Sequence, residues 1–235
     1  MHWFYSPEVK IGNFHFNPDE SKHITRVLRL DIGDDVFITD GRGRLFSGKI
    51  IDDNHKKCVV EISNESCSTS PPSYCMHIAV APTKNLSRIE WFVEKATEFG
   101  IQEITPMHCD HSERTHFKSE RLQRIAIAAI KQSQQVWLPK INEITNFKDI
   151  IRSIRPEEGF IAYVDNDNTL PLLKSIYTES KNATVLIGPE GDFSKSEIHA
   201  AIAAGFIPIS LGKNRLRTET AALAACFTIH LINQK

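Results

Sequence analysis

The sequence predicts an α/β domain built on a mostly parallel sheet and preceded by a smaller β-rich domain. Three observations carry that expectation. From Tyr74 onward, short apolar runs alternate with segments of helical period, and the short connections favour parallel strands joined by crossover helices. Residues 1–70 instead hold brief β-prone runs broken by Asp-Gly, Gly-Arg-Gly and Asp-Asp-Asn turns, the spacing of a small antiparallel barrel or sandwich. Between the two, Ser63 to Ser73 is polar apart from Cys67 and contains Pro71-Pro72, so it reads as a linker. The domains are therefore expected at 1–70 and 71–235.

Each element has its own signal. A short helix is expected from Pro18 to Leu30, with Ile24, Val27 and Leu28 on one face. Strands are expected at Val36 to Thr39, Leu45 to Ile51 and Lys57 to Ile62. Cys75 to Ala81 reads as the first strand of the larger domain. Ser87 and Glu90 have the spacing of a capping box, opening a helix that turns Ile89, Phe92, Val93, Ala96 and Phe99 inward and stops at Gly100. Gln102 to Met107 is a second strand. A helix follows with Leu122, Ile125, Ala126, Ala129, Ile130 and Val136 in period, closed by Pro139. Phe160 to Val164 and Ala183 to Ile187 are further strands. Ser194 and Glu197 form another capping box, placing Ile198, Ala201 and Ile202 on one face before Gly205. Thr218 can cap a last helix running to about Leu231, apolar nearly all round and so expected to be buried.

Composition narrows the class. A chain of 235 residues, 41% of them hydrophobic, can bury a real core. No apolar run approaches the roughly 18 residues of a membrane span, and the first residues lack a signal-peptide pattern. Five cysteines without a CxxC pair fit a reducing cytoplasm. The net charge of -1 does not announce a nucleic-acid partner, but its distribution is uneven. Residues 111–155 carry nine Lys/Arg against four acids, and residues 156–200 carry eight acids against three lysines. The basic stretch is either a solvated helix face or a phosphate-facing surface.

Two glycine-bearing turns draw attention next. Ile187-Gly188-Pro189-Glu190-Gly191-Asp192-Phe193-Ser194 leaves one expected strand, and Leu211-Gly212-Lys213-Asn214-Arg215-Leu216-Arg217-Thr218 leaves the apolar run Phe206 to Ser210. Strand ends that lead into helices are where α/β proteins bind ligands, so the pair suggests one composite site. Neither turn is a Walker loop or a GxGxxG fingerprint, and the first could be an ordinary turn. His108, Cys109, Asp110 and His111, with His116 nearby, match no standard zinc spacing, so no metal is expected.

Together these residues resemble the ribosomal RNA small subunit methyltransferase E family of the SPOUT superfamily. The likeness rests on Leu186 to Ser194, on Leu211-Gly212, and on Leu216 to Ala221. Lys95 to Gly100, Ile104 to Pro106, Glu113-Arg114, Glu120-Arg121, Ala128 to Ser133 and His23 to Leu30 extend it over most of the chain. Asp192 stands where the family usually has a second glycine. The resemblance implies a PUA-like RNA-binding β-barrel at 1–70 and, at 71–235, a SPOUT-type methyltransferase domain with a deep trefoil knot. It also implies a cytoplasmic homodimer that methylates N3 of a uridine in 16S ribosomal RNA, or in the small subunit, from S-adenosyl-L-methionine. The cofactor is expected on Leu186, Ile187, Gly188, Pro189, Glu190 and Gly191 of the first turn, and on Leu211, Gly212, Asn214, Leu216, Arg217 and Thr218 of the second. The chemistry is assigned to Arg217 and Glu190, and RNA contacts to Arg26, Arg29, Arg114, Lys118 and Arg121. A non-catalytic RNA-binding module of the same fold is the rival reading.

Overall fold

A computed structural model describes residues 2–114, 118–155, 158–165 and 169–234. The chain divides into two compact units, the first comprising Met1–Pro71 with Ile130–Leu138, the second Pro72–Ala129 with Pro139–Lys235. Nothing in the sequence pattern assigned the 130–138 stretch to the first unit.

The first unit is a five-stranded sheet in the order β1-β3-β4-β5-β2, formed by β1 (His2–Tyr5), β2 (Gly12–His15), β3 (Asp35–Thr39), β4 (Arg44–Asp52) and β5 (Val59–Ser68). It is not wholly antiparallel, because β1 pairs with β3 in parallel register. Phe4, Ile24, Val36, Ile38, Phe46, Ile50, Val60 and Ile62 fill its core. The expected linker is shorter than its composition suggests. Residues 63–68 belong to β5 and pair with β4 through to Arg44 and Ser68. Their exposed side chains made the strand look like a loop.

The first helix also departs from its expected face. Asn17 caps α1 (Pro18–Lys22) by accepting from the Glu20 amide, and the chain then widens into a π turn over His23–Val27. The π turn rotates the residues after it relative to an α-helix, so Ile24 is buried while Val27 is 65% exposed. Arg29, at φ +56°, ends the segment, and the Leu30 amide closes on the Ile24 carbonyl.

The second unit carries a seven-stranded, all-parallel sheet: β6 (Met76–Val80), β7 (Glu103–His108), β8 (Lys140–Ile141), β9 (Thr145–Asn146), β10 (Gly159–Ala162), β11 (Ala183–Ile187) and β12 (Ile207–Ile209). The order is β12-β10-β11-β6-β7-β8, with β9 also on β7. All five residues of β6 and of β11 are buried, as strands covered on both faces require. The strand β11 enters between β6 and β10, both laid down earlier in the chain, and so creates a switch point in the sheet.

Helix ends follow local chemistry more than motif spacing. Asn85, not Ser87, caps α2 (Leu86–Glu98), since its carboxamide accepts from the Ser87 amide. The next helix, α3 (Ser119–Ser133), stops before Val136, after which Gln134 adopts φ +57°. Two short helices, α4 (Phe147–Ser153) and α5 (Leu173–Ile176), precede α6 (Lys195–Ala203), which does open on the Ser194–Glu197 capping box. Ile202 nonetheless stands 42% exposed, and Glu197 takes the buried place instead, its carboxylate accepting from the Asp110 amide at 2.9 Å. The last helix, α7 (Thr218–Asn233), is capped by Arg217, with Thr218 as its first residue. It is not buried all round: Phe227 and Leu231 are exposed on one face.

One polar chain, buried at His77, Thr105 and Thr184, crosses this sheet. The His77 ring bonds Thr184 Oγ1 through Nδ1 at 3.2 Å and Thr105 Oγ1 through Nε2 at 2.7 Å. Asn142 Nδ2 donates to Thr105 Oγ1 and to Glu103 Oε1, which also meets Lys140 Nζ. Burial drives the His77 pKa down to about 4, a fall to which Lys140 adds and which Glu103 partly opposes. The unfolded chain takes up this proton near pH 6.5, whereas the fold resists it until about pH 4, so stability is lost as pH falls through that window. Urea unfolding should show about 2 kcal/mol lost to this group between about pH 7 and about pH 5. In His77→Gln the slope over that window should flatten.

Candidate active site

The carboxyl ends of β10, β11 and β12 open into a cavity of about 510 Å³. A volume of that size suits a nucleoside-sized ligand. From β10 come Ala162, Tyr163, Val164 and Asp165; from β11, Ile187 to Glu190 and Asp192; from β12, the run Ser210 to Arg217, with Thr218 and Ala221 of α7. Both glycine turns therefore line one cavity, at the switch point where parallel sheets bind ligands.

The first turn is held from four directions. Thr218 Oγ1 donates to the Gly188 carbonyl at 3.1 Å. The Lys84 amide donates to Glu190 Oε1 at 3.1 Å. His111 Nδ1 donates to the carbonyls of Gly191 and Asp192 at 3.2 and 3.0 Å. Asp192 Oδ2 accepts from the Val164 amide at 2.9 Å, so its carboxylate ties the β10 wall of the cavity to the turn. Asp192 sits at φ +63°, where glycine is the easier residue, and its side chain offsets that cost through these bonds.

Ten of the twelve residues expected to hold the cofactor line the cavity: Ile187, Gly188, Pro189 and Glu190 from the first turn, and Leu211, Gly212, Asn214, Leu216, Arg217 and Thr218 from the second. Leu186 does not, because it is fully buried in the core beneath the turn. Gly191 also lies outside the lining, and a Cβ on it would meet His111 at 3.4 Å. A Cβ on Gly188 would come within 3.1 Å of the Phe193 ring, so packing against Phe193 accounts for that glycine. Gly212, at φ +135°, faces nothing within 4 Å, and the backbone conformation itself accounts for the second.

Arg217 and Glu190 both line the cavity and are both exposed. The end of the cavity around Lys213, Arg215, Arg217 and the N-terminus of α7 is electropositive. Next to Arg217, Glu219 is buried, with Oε1 3.8 Å from Arg88 Nε. The sequence missed the β10 wall, including Tyr163, Val164 and Asp165. The rule that ligands gather at the carboxyl ends of neighbouring parallel strands could have found it, had the strand order been known.

Arg26, Arg29 and Lys118 are exposed, Arg26 and Arg29 lying in the first unit and Lys118 in the second. Arg121 pairs with Glu90, Nε to Oε1 at 2.7 Å, and the Arg114 guanidinium binds the Lys84 carbonyl. No group of three or more metal-ligating side chains occurs among the described residues, and His116 lies outside them.

This arrangement, a parallel sheet with two glycine turns closing a cavity at its switch point, belongs to the RNA methyltransferase class. The RNA methyltransferase domain profile matches residues 70–230, and an RNA methyltransferase PUA domain profile matches residues 16–63. A curated relative from Aquifex aeolicus, named ribosomal RNA small subunit methyltransferase E, is 30% identical over 95% of this chain and 96% of its own. A solved Porphyromonas gingivalis chain is 40% identical with a TM-score of 0.92, covering 99% of this chain and 98% of that one. The Neisseria gonorrhoeae ribosomal RNA small subunit methyltransferase E, crystallised with S-adenosyl methionine, is 25% identical with a TM-score of 0.86, over 99% and 98% of the two chains. The chain belongs to the ribosomal RNA small subunit methyltransferase E family.

Proposed function

We propose that the protein methylates N3 of a uridine in 16S ribosomal RNA, using S-adenosylmethionine, and that it works as a cytoplasmic homodimer. The observation that carries this reading is the single cavity formed by both glycine turns, with Arg217 at the N-terminus of α7. The cavity fits the cofactor in size, in its apolar wall of Ile187, Leu211 and Leu216, and in the backbone exposed at Gly212. When bound, the cofactor supplies an electrophilic methyl on a sulfonium, which needs no activation by the protein.

The remaining task falls to this chain's side chains. N3 of uracil is a protonated imide. As its proton leaves, negative charge spreads to the flanking carbonyl oxygens. The Arg217 guanidinium, cationic at any relevant pH, stabilises that charge, and the amide end of α7 adds to it. Glu190 has one oxygen engaged by the Lys84 amide and keeps the other for the N3 proton, with solvent as the alternative acceptor. The uracil must leave its stack to reach this point. Arg26 and Arg29 in the first unit, and Lys118 in the second, serve as phosphate contacts, whereas the Arg121 fork is taken up by the Glu90 carboxylate.

The topology supports the knot as part of this reading, since β11 enters between earlier strands and α7 packs on β6 and β11. The dimer rests on α7, where Phe227 and Leu231 share an exposed apolar face. Replacing both with aspartate should shift the sedimenting species from dimer to monomer without unfolding it; an unshifted species would place the contact elsewhere. The activity is tested by offering labelled cofactor and small-subunit particles from a strain lacking this protein. Near-stoichiometric label in the RNA is expected. Tight RNA binding without label would favour the non-catalytic module.

A further inference from the structure

We propose that Arg114 is a positioning residue for the cofactor turn, acting through the backbone of Lys84 on Glu190, and not a phosphate contact. The proposal rests on the placement of the cofactor against the Gly188–Glu190 turn.

Three loops from neighbouring strand ends meet at Lys84. Arg114, on the loop after β7, directs Nε and Nη2 together at the Lys84 carbonyl, at 3.1 and 2.8 Å. The Lys84 amide in turn donates to Glu190 Oε1, at 3.1 Å, on the turn after β11. Both backbone groups of one residue are therefore committed to the two loops that flank it. The rest of the connection is stiff. Thr83 is fully buried with its hydroxyl on the Asn85 carbonyl at 2.7 Å, Asn85 caps α2, and the Ala81 amide bonds the Ile187 carbonyl at 3.0 Å. A displacement of Lys84 has little local slack to absorb it and passes to Glu190, which lines the cavity.

A phosphate contact calls for a guanidinium that presents its fork to solvent. Arg114 instead spends two donors of that fork on one carbonyl, a planar arrangement a lysine ammonium cannot reproduce. The Lys84 side chain is not part of the link. Its Nζ reaches Glu113 at 3.1 Å and stands largely in solvent, where the pair contributes little.

The test is calorimetric titration of the full chain with S-adenosylmethionine in the absence of RNA. Arg114→Ala should weaken binding roughly tenfold, the scale of one lost charge-assisted hydrogen bond. Arg114→Lys should weaken it nearly as much, although it keeps the charge. Lys84→Ala should bind as the wild type does, because its backbone remains. In a Glu190→Ala background, Arg114→Ala should add no further loss. Thermal midpoints close to wild type would separate these effects from misfolding, and Arg114→Lys serves if the alanine variant is unstable. Wild-type affinity in Arg114→Ala, with a reduced salt slope for RNA, would overturn the proposal in favour of a phosphate contact. An undiminished Arg114 effect in the Glu190→Ala background would overturn the route through Glu190. If Gly212→Val also left the affinity untouched, the placement of the cofactor would be at fault.

Discussion

Arg217→Ala should slow single-turnover methylation at saturating RNA by on the order of a hundredfold or more, while cofactor affinity stays within a few-fold of wild type. Arg217 is exposed at the cavity and occupies the N-cap of α7 without a side-chain capping bond, so its removal leaves the helix start intact. In the proposed reaction it supplies charge that grows in value as the uracil loses its N3 proton. An interaction of that kind appears in the chemical step and not in ground-state binding. Losing one such donor costs about 3–4 kcal/mol in comparable sites, which sets the expected fall. Lys118→Ala gives the contrasting result: weaker RNA binding, a shallower salt dependence and nearly normal turnover once RNA saturates. If Arg217→Ala turns over normally and Lys118→Ala loses the chemical step, the two roles are reversed.

Gly212→Val should weaken cofactor binding at least tenfold, and by more than Gly188→Val does in any molecules that remain folded. The two glycines look alike in sequence, but the structure separates them. At Gly212 the backbone holds φ +135° with nothing within 4 Å, so a branched residue strains the turn and puts new atoms at the cavity lining. The backbone strain alone is about 1–3 kcal/mol. At Gly188 the added Cβ would meet the Phe193 ring at 3.1 Å and the Phe193 amide nitrogen at 3.2 Å. Its replacement should therefore lower the thermal midpoint first, through overpacking of about 1–3 kcal/mol. Titration with the cofactor beside thermal melts of both variants distinguishes the two losses. Equal affinity in wild type and Gly212→Val would remove the second turn from the site.

The α/β domain was legible because parallel strands buried on both faces are written as uninterrupted apolar runs. Ala183–Ile187 emerges with the bounds the sequence gives it. The two turns were legible because strand, glycine and helix cap follow one another within a few residues. What escaped was whatever depends on partners distant in sequence. The polar end of β5 is a strand only because β4 lies beside it, and the π turn that exposes Val27 leaves no mark in the period of the residues before it. Thr218 looked like a helix cap, yet its hydroxyl serves the Gly188 carbonyl, thirty residues back. Arg114 reads in the sequence as an RNA contact within a basic stretch. Only the adjacency of β6, β7 and β11 brings it to the Lys84 carbonyl.

The most direct test of the account is the chemical identity of the product. Small-subunit particles from a strain lacking this protein would be methylated in vitro with labelled S-adenosylmethionine. The RNA would then be digested to nucleosides and separated against standards. The label is expected to co-migrate with N3-methyluridine and to be absent from the Arg217→Ala reaction over the same time. Label in a ribose-methylated nucleoside, or on a carbon of the base, would contradict the assignment of Arg217 to charge developing on the uracil carbonyls.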